Sequence, residues 1–569
     1  MPIWLGALGN LADSSWRATV DASVQTNGDV LRLRSHPMGI SSRKTASTAL
    51  SGLVAELPEV YQPIFGHPEL CPNVSRRCDD RLAQVISVYR ALETVFARPL
   101  RVLDLGCAQG FFSHNLSELG ARVHGVDFLE ANIAVCKAIA AERGDRGIVF
   151  ETARLEDVLS ALEVNRYDLI LGLSVFHHIV QAVGAPPVRG MLAAAGVKVA
   201  AALFEIAVAE EPIYWAAAQP QSARALLSDY AFVHEIARHG THLSDVRRPL
   251  FFASNRYWYL DGQAGAFDRW TTASNKVVPD PHRGTRRSYF SDKKIIIQFR
   301  LDDRARREQN LLEWENAVAF LKDPPPGLTA PRLEGWGRSA TEAWLIRELL
   351  PGMTLETHIA EGRKSYDPDR VLREVLRQLQ AMEAAGLYHN DLRTWNVIID
   401  PAGGATLIDY GSVSKSRMDC AWPNDVFLTF LIFMREALVG AQEFPVPVRT
   451  GCFNPDRLPE PYRKAIWRML YLPFGQWRFT DFLQNFASEQ GDNDDDPTTI
   501  GRGNASLLLG TFESGIADLR SQIANLEAHA ASLDDLITTL QIPNAPWSLK
   551  IVLPLARMIR KVRVTFLGG

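Results

Sequence analysis

The segment HNDLRTWNVIID, followed by TLIDYG, constrains the fold more than any other part of the chain. It places Asp391 five residues before Asn396, and Asp409 thirteen residues after Asn396. This spacing lets one loop and one strand converge on a metal ion, because carboxylate and amide oxygens are ligands that hard cations prefer. The three residues together predict a catalytic metal site.

These motifs resemble the protein-kinase-like catalytic core, H-R-D-x-x-x-x-N and D-F-G. The resemblance implies that Asp391 orients the acceptor hydroxyl and that Asn396 and Asp409 hold magnesium. It also implies ATP as the nucleotide, with Glu348 and Leu349 of WLIRELLPG in the hinge that meets adenine. The activation-segment motif A-P-E is absent from the sequence, which argues against a protein substrate of the usual kind.

Two further parts of the kinase pattern are missing from the sequence. The strand expected to carry the phosphate-binding lysine reads IIIQF, so Ile297 or Gln298 takes its place, and no Gly-rich loop precedes it. Losing this charge should weaken transition-state stabilisation. The candidates to replace the lysine are Arg283, Arg286, Arg287, Lys293 and Lys294, and the candidates for the helix glutamate are Glu308, Glu313 and Glu315.

A second motif, VLDLGCAQG, reads as a strand that turns into a helix through Gly106 and Gly110. Glycines at such a turn let the backbone approach a ligand, and the following helix presents its N-terminus. Asp127 ends the next strand, seventeen residues after Gly110, where a carboxylate can accept both hydroxyls of a ribose. The G-x-G-x-x-G spacing of NAD-binding proteins does not fit this segment.

This set resembles class I S-adenosylmethionine-dependent methyltransferases, with Ala108 in place of the middle glycine. The resemblance implies S-adenosylmethionine as the cofactor. The implied cofactor contacts are Gly106, Gly110, Asp127, Phe128, Asn132, Arg154, Leu155, Glu156, Leu173 and Ser174, with Tyr61, Gln62 and Arg81 clamping the cofactor carboxylate. Surface packing is the alternative for Tyr61 and Arg81. His177 and His178 are placed near the methyl acceptor, where one could be a catalytic base and the other structural.

Alternation of strand and helix signals predicts a doubly wound, Rossmann-like α/β domain over residues 51–260. Strand-rich and then helix-rich segments predict a two-lobed α+β kinase-like domain over residues 261–488. Residues 1–50 lack periodicity and are predicted to be a disordered extension, and residues 489–504 a linker. A chain of 569 residues is long enough for these two cores.

The composition indicates which classes of partner and which cellular compartment to expect. The net charge is -4, so no nucleic-acid partner is expected. The six cysteines form no Cys-x-x-Cys pair, which fits a reducing cytoplasm. Neither a signal-peptide pattern nor an apolar run long enough to span a bilayer is present, so a cytoplasmic protein is expected.

The tail repeats apolar residues at spacings of three and four over residues 505–541, which predicts a coiled coil and therefore a homo-oligomer. The repeat consists of Leu509, Phe512, Ile516, Leu519, Ile523, Leu526, Ala530, Leu533, Ile537 and Leu540. One amphipathic helix packed on its own domain is the alternative. Residues 546–569 are basic and amphipathic, which suits an anionic membrane surface or, alternatively, a protein partner.

The order of these parts is similar to the WbdD type of bifunctional methyltransferase–kinase over roughly residues 50 to 490. In that family the kinase phosphorylates the non-reducing terminal sugar of a polymannose O-antigen, and the methyltransferase methylates that phosphate, which stops elongation. The resemblance also implies a trimeric coiled coil and a tail that recruits the membrane-bound polymerase. The enzyme would then lie on the inner face of the bacterial inner membrane, with a lipid-linked glycan as acceptor.

Three functions remain open from the residues alone. The first is a dual enzyme that phosphorylates and methylates a glycan end. The second is a methyltransferase that methylates a sugar hydroxyl directly and carries a pseudokinase. The third is a scaffold for a polymerase. Because a sugar hydroxyl needs a base and a phosphate does not, His177 or His178 is essential only in the second. The intact Asp391, Asn396 and Asp409 favour the first.

Overall fold

The structure is a computed structural model of the chain. It describes residues 49–273, 282–362, 366–420, 424–440, 458–460, 462–472 and 474–487, and in the tail residues 519, 521–526, 528–530 and 532. Residues 1–48 of the N-terminal extension predicted over 1–50, the linker and the basic tail lie outside the described residues, as does most of the heptad. Residues 49 and 50, predicted to belong to the extension, are instead helical.

The first domain is built on a seven-stranded sheet with the strand order β3-β2-β1-β4-β5-β7-β6. Strands β1 to β5 are parallel, and β7 and β6 complete the sheet in antiparallel pairing. The strands are β1 (Arg101–Leu105), β2 (Arg122–Asp127), β3 (Ile148–Thr152), β4 (Leu169–Leu173), β5 (Ala201–Glu205), β6 (Phe232–His239) and β7 (Arg248–Ser254). The central strands are buried almost throughout, because helices cover both faces of the sheet.

The helices of this domain follow the strands in the predicted alternation. They are α1 (49–55), α2 (Asp79–Phe96), α3 (Phe111–Glu118), α4 (Glu130–Arg143), α5 (Leu155–Ser160), α6 (Phe176–Val183) and α7 (Ala185–Lys198). The sequence prediction of a doubly wound α/β domain is confirmed. Such a fold places its ligands at the carboxyl ends of the parallel strands, where β1 and β4 lie side by side and the order of the strands reverses.

A five-stranded antiparallel sheet with the order β10-β11-β12-β14-β13 forms the first lobe of the second domain. A hairpin of β8 (Tyr257–Leu260) and β9 (Gln263–Ala266) precedes it and spans the predicted domain boundary at residue 260. The lobe contains β10 (Arg269–Thr271), β11 (Arg286–Phe290), β12 (Lys294–Arg300), α8 (Arg307–Lys322), β13 (Leu333–Arg338) and β14 (Glu342–Glu348).

The second lobe is mostly helical and has its own apolar core around α10 and α11. Its elements are β15 (Met353–Thr354), α9 (Leu355–Ala360), α10 (Pro368–Ala384), β16 (Tyr388–His389), β17 (Val397–Ile399), β18 (Ala405–Leu407), β19 (Val413–Ser414), α11 (Val426–Val439), α12 (Tyr462–Tyr471) and α13 (Phe479–Ala487). The predicted strand-rich lobe followed by a helix-rich lobe is confirmed. The loops between β16 and β19 contribute Asn396 and Asp409 to the cleft between the two lobes.

The first lobe of the second domain shares a continuous apolar core with the first domain. Tyr289, Ile296 and Trp344 of this lobe belong to the same buried cluster as Phe232 and Phe252 of the first domain. Glu342 anchors the junction: its fully buried carboxylate contacts Arg224 and accepts hydrogen bonds from Gln298 and from the backbone N–H of Glu235. One sheet therefore faces the first domain with one side and the interlobe cleft with the other.

Alternation along β12 decides between the two residues proposed for the lysine position. Ile297 lines the interlobe cleft. Gln298 points away from the cleft, and its amide donates to the carbonyl of Val233 and to Glu342, both at 2.8 Å. Ile297 therefore stands in the cleft at this level of the strand, and Gln298 belongs to the domain junction.

In the tail, the described residues 521–526 and 528–530 are helical. Leu519, Ile523 and Leu526 are exposed there by 41%, 39% and 67%, which leaves an apolar seam open to solvent in the single chain. Within the described parts of the chain, no helix is both long and apolar enough to cross a membrane.

Candidate active sites

The turn between β1 and α3 forms the floor of the first site. Gly106 and Gly110 have φ values of 69° and 76°, a left-handed conformation in which a side chain is strained. A Cβ on Gly106 would also lie 2.2 Å from a methyl group of Val175. Ala108 tolerates a φ of 48° between them, so the chain keeps the glycine-type turn without the middle glycine.

Asp127, at the end of β2, holds the two loops of this site together. One carboxylate oxygen accepts from the backbone N–H of Ala108 at 2.9 Å, and the other accepts from the backbone N–H of Leu129 at 2.9 Å and from the Asn132 amide at 3.2 Å. Asp127 is only 6% exposed but still lines the cavity. Its carboxylate is therefore fixed in orientation before any ligand binds.

A cavity of about 730 Å³ opens above this floor. Of the predicted residues, it is lined by Tyr61, Gly106, Asp127, Phe128, Asn132, Arg154, Leu155, Glu156, Leu173, Ser174, His177 and His178. The predicted residues Gln62, Arg81 and Gly110 are not among the lining residues. Gln62 instead braces the loop, because its side-chain carbonyl accepts from the backbone N–H of Phe111.

The sequence did not single out Arg76, which is buried in the wall of this cavity. Its guanidinium donates to Ser174 and to Glu205, both at 2.8 Å, and to the hydroxyl of Tyr61 at 3.1 Å. Its Nε is buried without a hydrogen-bond partner among the described residues. Arg81, the predicted clamp, lies behind it at 3.5 Å from Glu205. The run RRC offered no signal to prefer Arg76 over its neighbours, because the choice depends on Glu205, 129 residues further on.

Histidines and a buried arginine line the other end of the cavity. His177 is buried, and its ring centre lies 4.5 Å from that of Trp215, with the two ring planes tilted by 52°. Arg248 lies over the same indole and donates two hydrogen bonds of 2.7 Å to Glu211. Burial, with help from the nearby Arg248, lowers the pKa of His177 to about 2. The pKa of the neighbouring His178 is lowered for the same two reasons. Both rings are therefore neutral at physiological pH.

The second site is a cleft of about 360 Å³ between the two lobes. Of the predicted residues, Asn396, Asp409 and Leu349 line it, whereas Asp391 and Glu348 do not. The Glu348 carboxylate instead accepts from the backbone N–H of Arg332 at 3.3 Å. Apolar side chains from β12 and β14 form the roof, namely Ile295, Ile297, Phe299 and Leu345.

Arg286 provides the positive charge that the lysine-free strand lacks. It projects from β11 into the cleft and donates to Asp409 at 3.0 Å and to Glu313 of α8 at 3.3 Å. Burial alone would raise the pKa of Asp409, but Arg286 lowers it below its usual value. The two carboxylates raise the pKa of Arg286 in turn, although burial opposes this.

The other candidates for these two roles point elsewhere. Arg287 follows on the same strand and faces the domain junction, where it donates to the carbonyls of Tyr230 and Ala231. Lys294 is paired with Glu334 on the sheet edge. Glu315 pairs with Arg338 at the surface. The structure therefore assembles Arg286, Glu313 and Asp409 and leaves the remaining candidates outside the cleft.

Asp391 and Asn396 are coupled within one loop. The Asn396 amide donates to the Asp391 carboxylate at 2.9 Å and to its backbone carbonyl at 2.8 Å. This orients the amide oxygen of Asn396 away from Asp391. Asp409, which has a left-handed backbone with φ 65°, presents its carboxylate to the same cleft. Backbone strain of this kind is common at catalytic positions.

Comparisons with known proteins agree with both sites. A family model described as a methyltransferase domain matches residues 98–185. The O-antigen chain terminator bifunctional methyltransferase/kinase WbdD of Escherichia coli is 35% identical over 498 residues, which is 86% of this chain and 70% of the relative's length. The chain belongs to the WbdD family. A second WbdD protein of Escherichia coli is 36% identical over 501 residues.

Solved structures of WbdD extend this agreement to the fold. A high-resolution crystal structure of WbdD is 35% identical, covers 81% of this chain and 99% of that chain, and superposes with a TM-score of 0.66. A WbdD structure with an ordered C-terminal bundle covers 85% of this chain and 99% of that chain with a TM-score of 0.72. The first domain is an S-adenosylmethionine-dependent methyltransferase, and the second corresponds to the kinase that the relatives' names record.

Proposed function

We propose that this chain caps a growing polysaccharide by phosphorylating its non-reducing terminal sugar and then methylating that phosphate. The observation that carries the proposal is Arg286, which returns a buried positive charge to the cleft that lacks the usual lysine and pairs it with Asp409 and Glu313. A pseudokinase has no need of this arrangement. The WbdD relatives are named for chain termination of O-antigen, and a polymannose of that class is the proposed acceptor.

The donor set of the cleft fits a magnesium ion and ATP. Asn396 and Asp409 offer one amide oxygen and one carboxylate, and magnesium commonly takes one or two such protein ligands together with substrate phosphates. When bound, magnesium neutralises charge on the transferring phosphate. Arg286 would then contact the nucleotide phosphates, and Asp391 would accept the hydrogen bond of the sugar hydroxyl. The apolar roof above Leu349 suits the adenine ring.

The first cavity suits S-adenosylmethionine at one end and an anionic acceptor at the other. Asp127 lies where the ribose hydroxyls would be held, and the partly unsatisfied Arg76 faces the methionine end. At the acceptor end, Arg248 and the neutral His177 and His178 form a wall without a strong base, because a group with a pKa of about 2 takes up a proton poorly at neutral pH. A phosphate oxygen is already anionic and needs no base, which favours phosphate over a sugar hydroxyl as the methyl acceptor.

Labelled substrates test the order of the two reactions. We expect the full chain to transfer label from ATP to a synthetic oligomannose, and to transfer label from S-adenosylmethionine only when ATP is also present. The variant Asp127→Ala serves as the matched control, since it removes a charged acceptor for the ribose and should stop methylation while phosphorylated product accumulates. Methylation of the oligomannose without ATP would instead support a sugar O-methyltransferase with a pseudokinase.

The tail is proposed to form a homo-oligomeric coiled coil, for which the family resemblance implies a trimer, and to hold the enzyme on the inner membrane face beside its polymerase. Support comes from the exposed heptad positions Leu519, Ile523 and Leu526 on the described helical residues, which a second copy would cover. The basic residues of the segment 546–569 each contribute roughly 1 kcal/mol at an anionic surface, and several tails act together.

Removing the tail tests whether oligomerisation and membrane binding can be lost while methyl transfer is kept. A chain that ends at Gly503 is expected to be monomeric by light scattering and not to sediment with vesicles containing anionic lipid, because it lacks both the heptad and the basic segment. Methyl transfer to a short, soluble phosphorylated acceptor should persist, since the residues that line that cavity lie upstream. A truncated chain that keeps the oligomeric mass of the full chain would show that the heptad is not the interface.

A further inference from the structure

The segment that follows Asp409 returns to the catalytic loop and is fastened to it at several points. β19 pairs with β16, so that Val413 lies opposite His389. Further along, the backbone N–H of Cys420 donates to the carbonyl of Asn390 at 2.7 Å. In protein kinases this activation segment is often ordered only after phosphorylation. Here the described part of the segment, residues 410–420, is attached without any modification.

An ion pair buried between the segment and the loop provides the strongest of these attachments. Arg393 binds Asp419 through two hydrogen bonds of 2.5 and 3.1 Å, and both side chains are almost completely buried. Burial alone would lower the pKa of Arg393, but Asp419 and Asp391 raise it. The guanidinium is therefore a permanent cation whose charge is shared by two carboxylates.

The same arginine reaches the residue proposed to receive the sugar hydroxyl. Its Nε lies 3.5 Å from one carboxylate oxygen of Asp391, and the thiol of Cys420 donates to that oxygen at 3.3 Å. Asn396 holds the other oxygen. Asp391 is thus oriented from both sides, and two of these contacts depend on where residues 419 and 420 lie.

The residue that usually binds an activation-segment phosphate is missing. In the H-R-D pattern an arginine precedes the aspartate, but this chain has Asn390 there. The Asn390 amide donates to the hydroxyl of Ser414 at 2.7 Å, a neutral contact within the same segment. A phosphate on the segment would find no cation at this position, whereas the carboxylate of Asp419 already occupies a site beside Arg393.

From these contacts we infer that Arg393 and Asp419 are positioning residues which hold Asp391 in its working orientation and make phosphoryl transfer independent of activation-segment phosphorylation. The inference rests on the kinase activity proposed above. The carboxylate of Asp419 neutralises Arg393 at the catalytic loop, as the phosphate on the activation segment neutralises an arginine in other kinases. With Asp419 in place, Arg393 is drawn toward the segment and leaves Asp391 available to the acceptor.

Neutralising Asp419 should have a specific consequence for Asp391. In Asp419→Asn, the buried Arg393 loses its main counter-charge, and the closest remaining carboxylate is that of Asp391. Arg393 should then bind Asp391 directly and withdraw it from the sugar hydroxyl. Removing the arginine as well, in the double variant Arg393→Gln with Asp419→Asn, eliminates this competitor. The double variant should therefore be more active than Asp419→Asn alone, which independent structural damage at two sites would not produce.

Steady-state kinetics of the full chain with magnesium-ATP and a synthetic oligomannose test this inference. We expect D419N to lower kcat for phosphorylation about 10- to 100-fold, with KM for ATP within about twofold of the starting protein, and the double variant to recover at least about fivefold. Methyl transfer to a chemically phosphorylated acceptor, measured on the same samples, should not change. Phosphatase treatment of the unaltered protein should leave its kcat intact.

Each outcome decides the inference. A D419N protein with normal kcat, or a double variant less active than D419N, overturns it. If D419N does not fold, as shown by loss of methyl transfer, Arg393→Lys replaces it, because lysine keeps the charge but cannot bridge both carboxylates; an unchanged kcat in that variant also overturns the inference. Loss of activity after phosphatase treatment would show that modification is required. Absence of any phosphate transfer in the unaltered protein, with methyl transfer intact, removes the proposed kinase function itself.

Discussion

Replacing Asp391 with asparagine is expected to reduce phosphoryl transfer about 10²- to 10⁴-fold, the range that a positioned base contributes. Asparagine has the size of aspartate and keeps an oxygen that can accept the Asn396 amide, now 2.9 Å away, so the loop should retain its shape. The sugar hydroxyl, however, loses the charged acceptor for its proton. Initial rates with labelled ATP and oligomannose measure the loss.

Two measurements on the same D391N protein serve as controls. Nucleotide binding, followed as the thermal shift caused by magnesium-ATP, should be nearly unchanged, because Asp391 does not line the nucleotide cleft. Methyl transfer to a phosphorylated acceptor should also be unchanged, since that site lies in the other domain. A D391N protein that phosphorylates at the original rate would mean that another group receives the hydroxyl proton.

Local patterns were sufficient to predict the fold and most of the first site. The turn at Gly106 and Gly110 and the acidic end of β2 at Asp127 depend on short stretches of chain, and residues close in sequence build them. The strand and helix periodicities likewise reflect burial on one face or both. These features can be recognised in a single sequence because neighbouring residues determine them.

The residues that the sequence did not identify depend on long-range packing. Arg76 is selected over Arg77 and Arg81 by Ser174 and Glu205, which lie on separate loops and strands about a hundred residues away. Glu211 and Arg248 meet in the same way under Trp215. No spacing rule in the chain links such residues, because the sheet order brings them together.

The residue that replaces the missing lysine could be predicted only in part, because both local patterns and long-range packing determine it. Sequence reasoning produced a short set of candidates around β11 and β12, since a cation had to reach the phosphates from nearby. Strand alternation decided among them: Arg286 and Arg287 are adjacent but face opposite sides of the sheet. The frame of that alternation depends on which face packs against the first domain, and the buried Tyr289 and Trp344 define that face. The sequence alone contained no evidence that the first domain would cover it.

Replacing Arg286 with methionine should therefore lower kcat/KM for phosphorylation about 10²- to 10³-fold, the loss typical of removing one preorganised electrostatic contact from a buried site. Methionine fills much of the same space, so the cleft should not collapse. Without Arg286, the pKa of Asp409 should rise, because burial then acts without its main opposing charge. Initial rates over a range of ATP concentrations separate the loss of binding from the loss of turnover.

Two matched variants show whether the lost charge is the cause. Arg286→Lys restores a cation of the type that ordinary kinases use, and we expect it to recover most of the activity, to within about tenfold of the starting protein. Arg287→Met changes the same residue type one position later, on the face that contacts Tyr230 and Ala231. It should lower the thermal stability of the domain junction while leaving the kinetic constants for ATP unchanged.

If the substitution at Arg286 has no greater effect on kcat/KM than the one at Arg287, the phosphate-binding cation must come from elsewhere in the chain. Arg347, which is buried beside the same cleft, would then be the next residue to test.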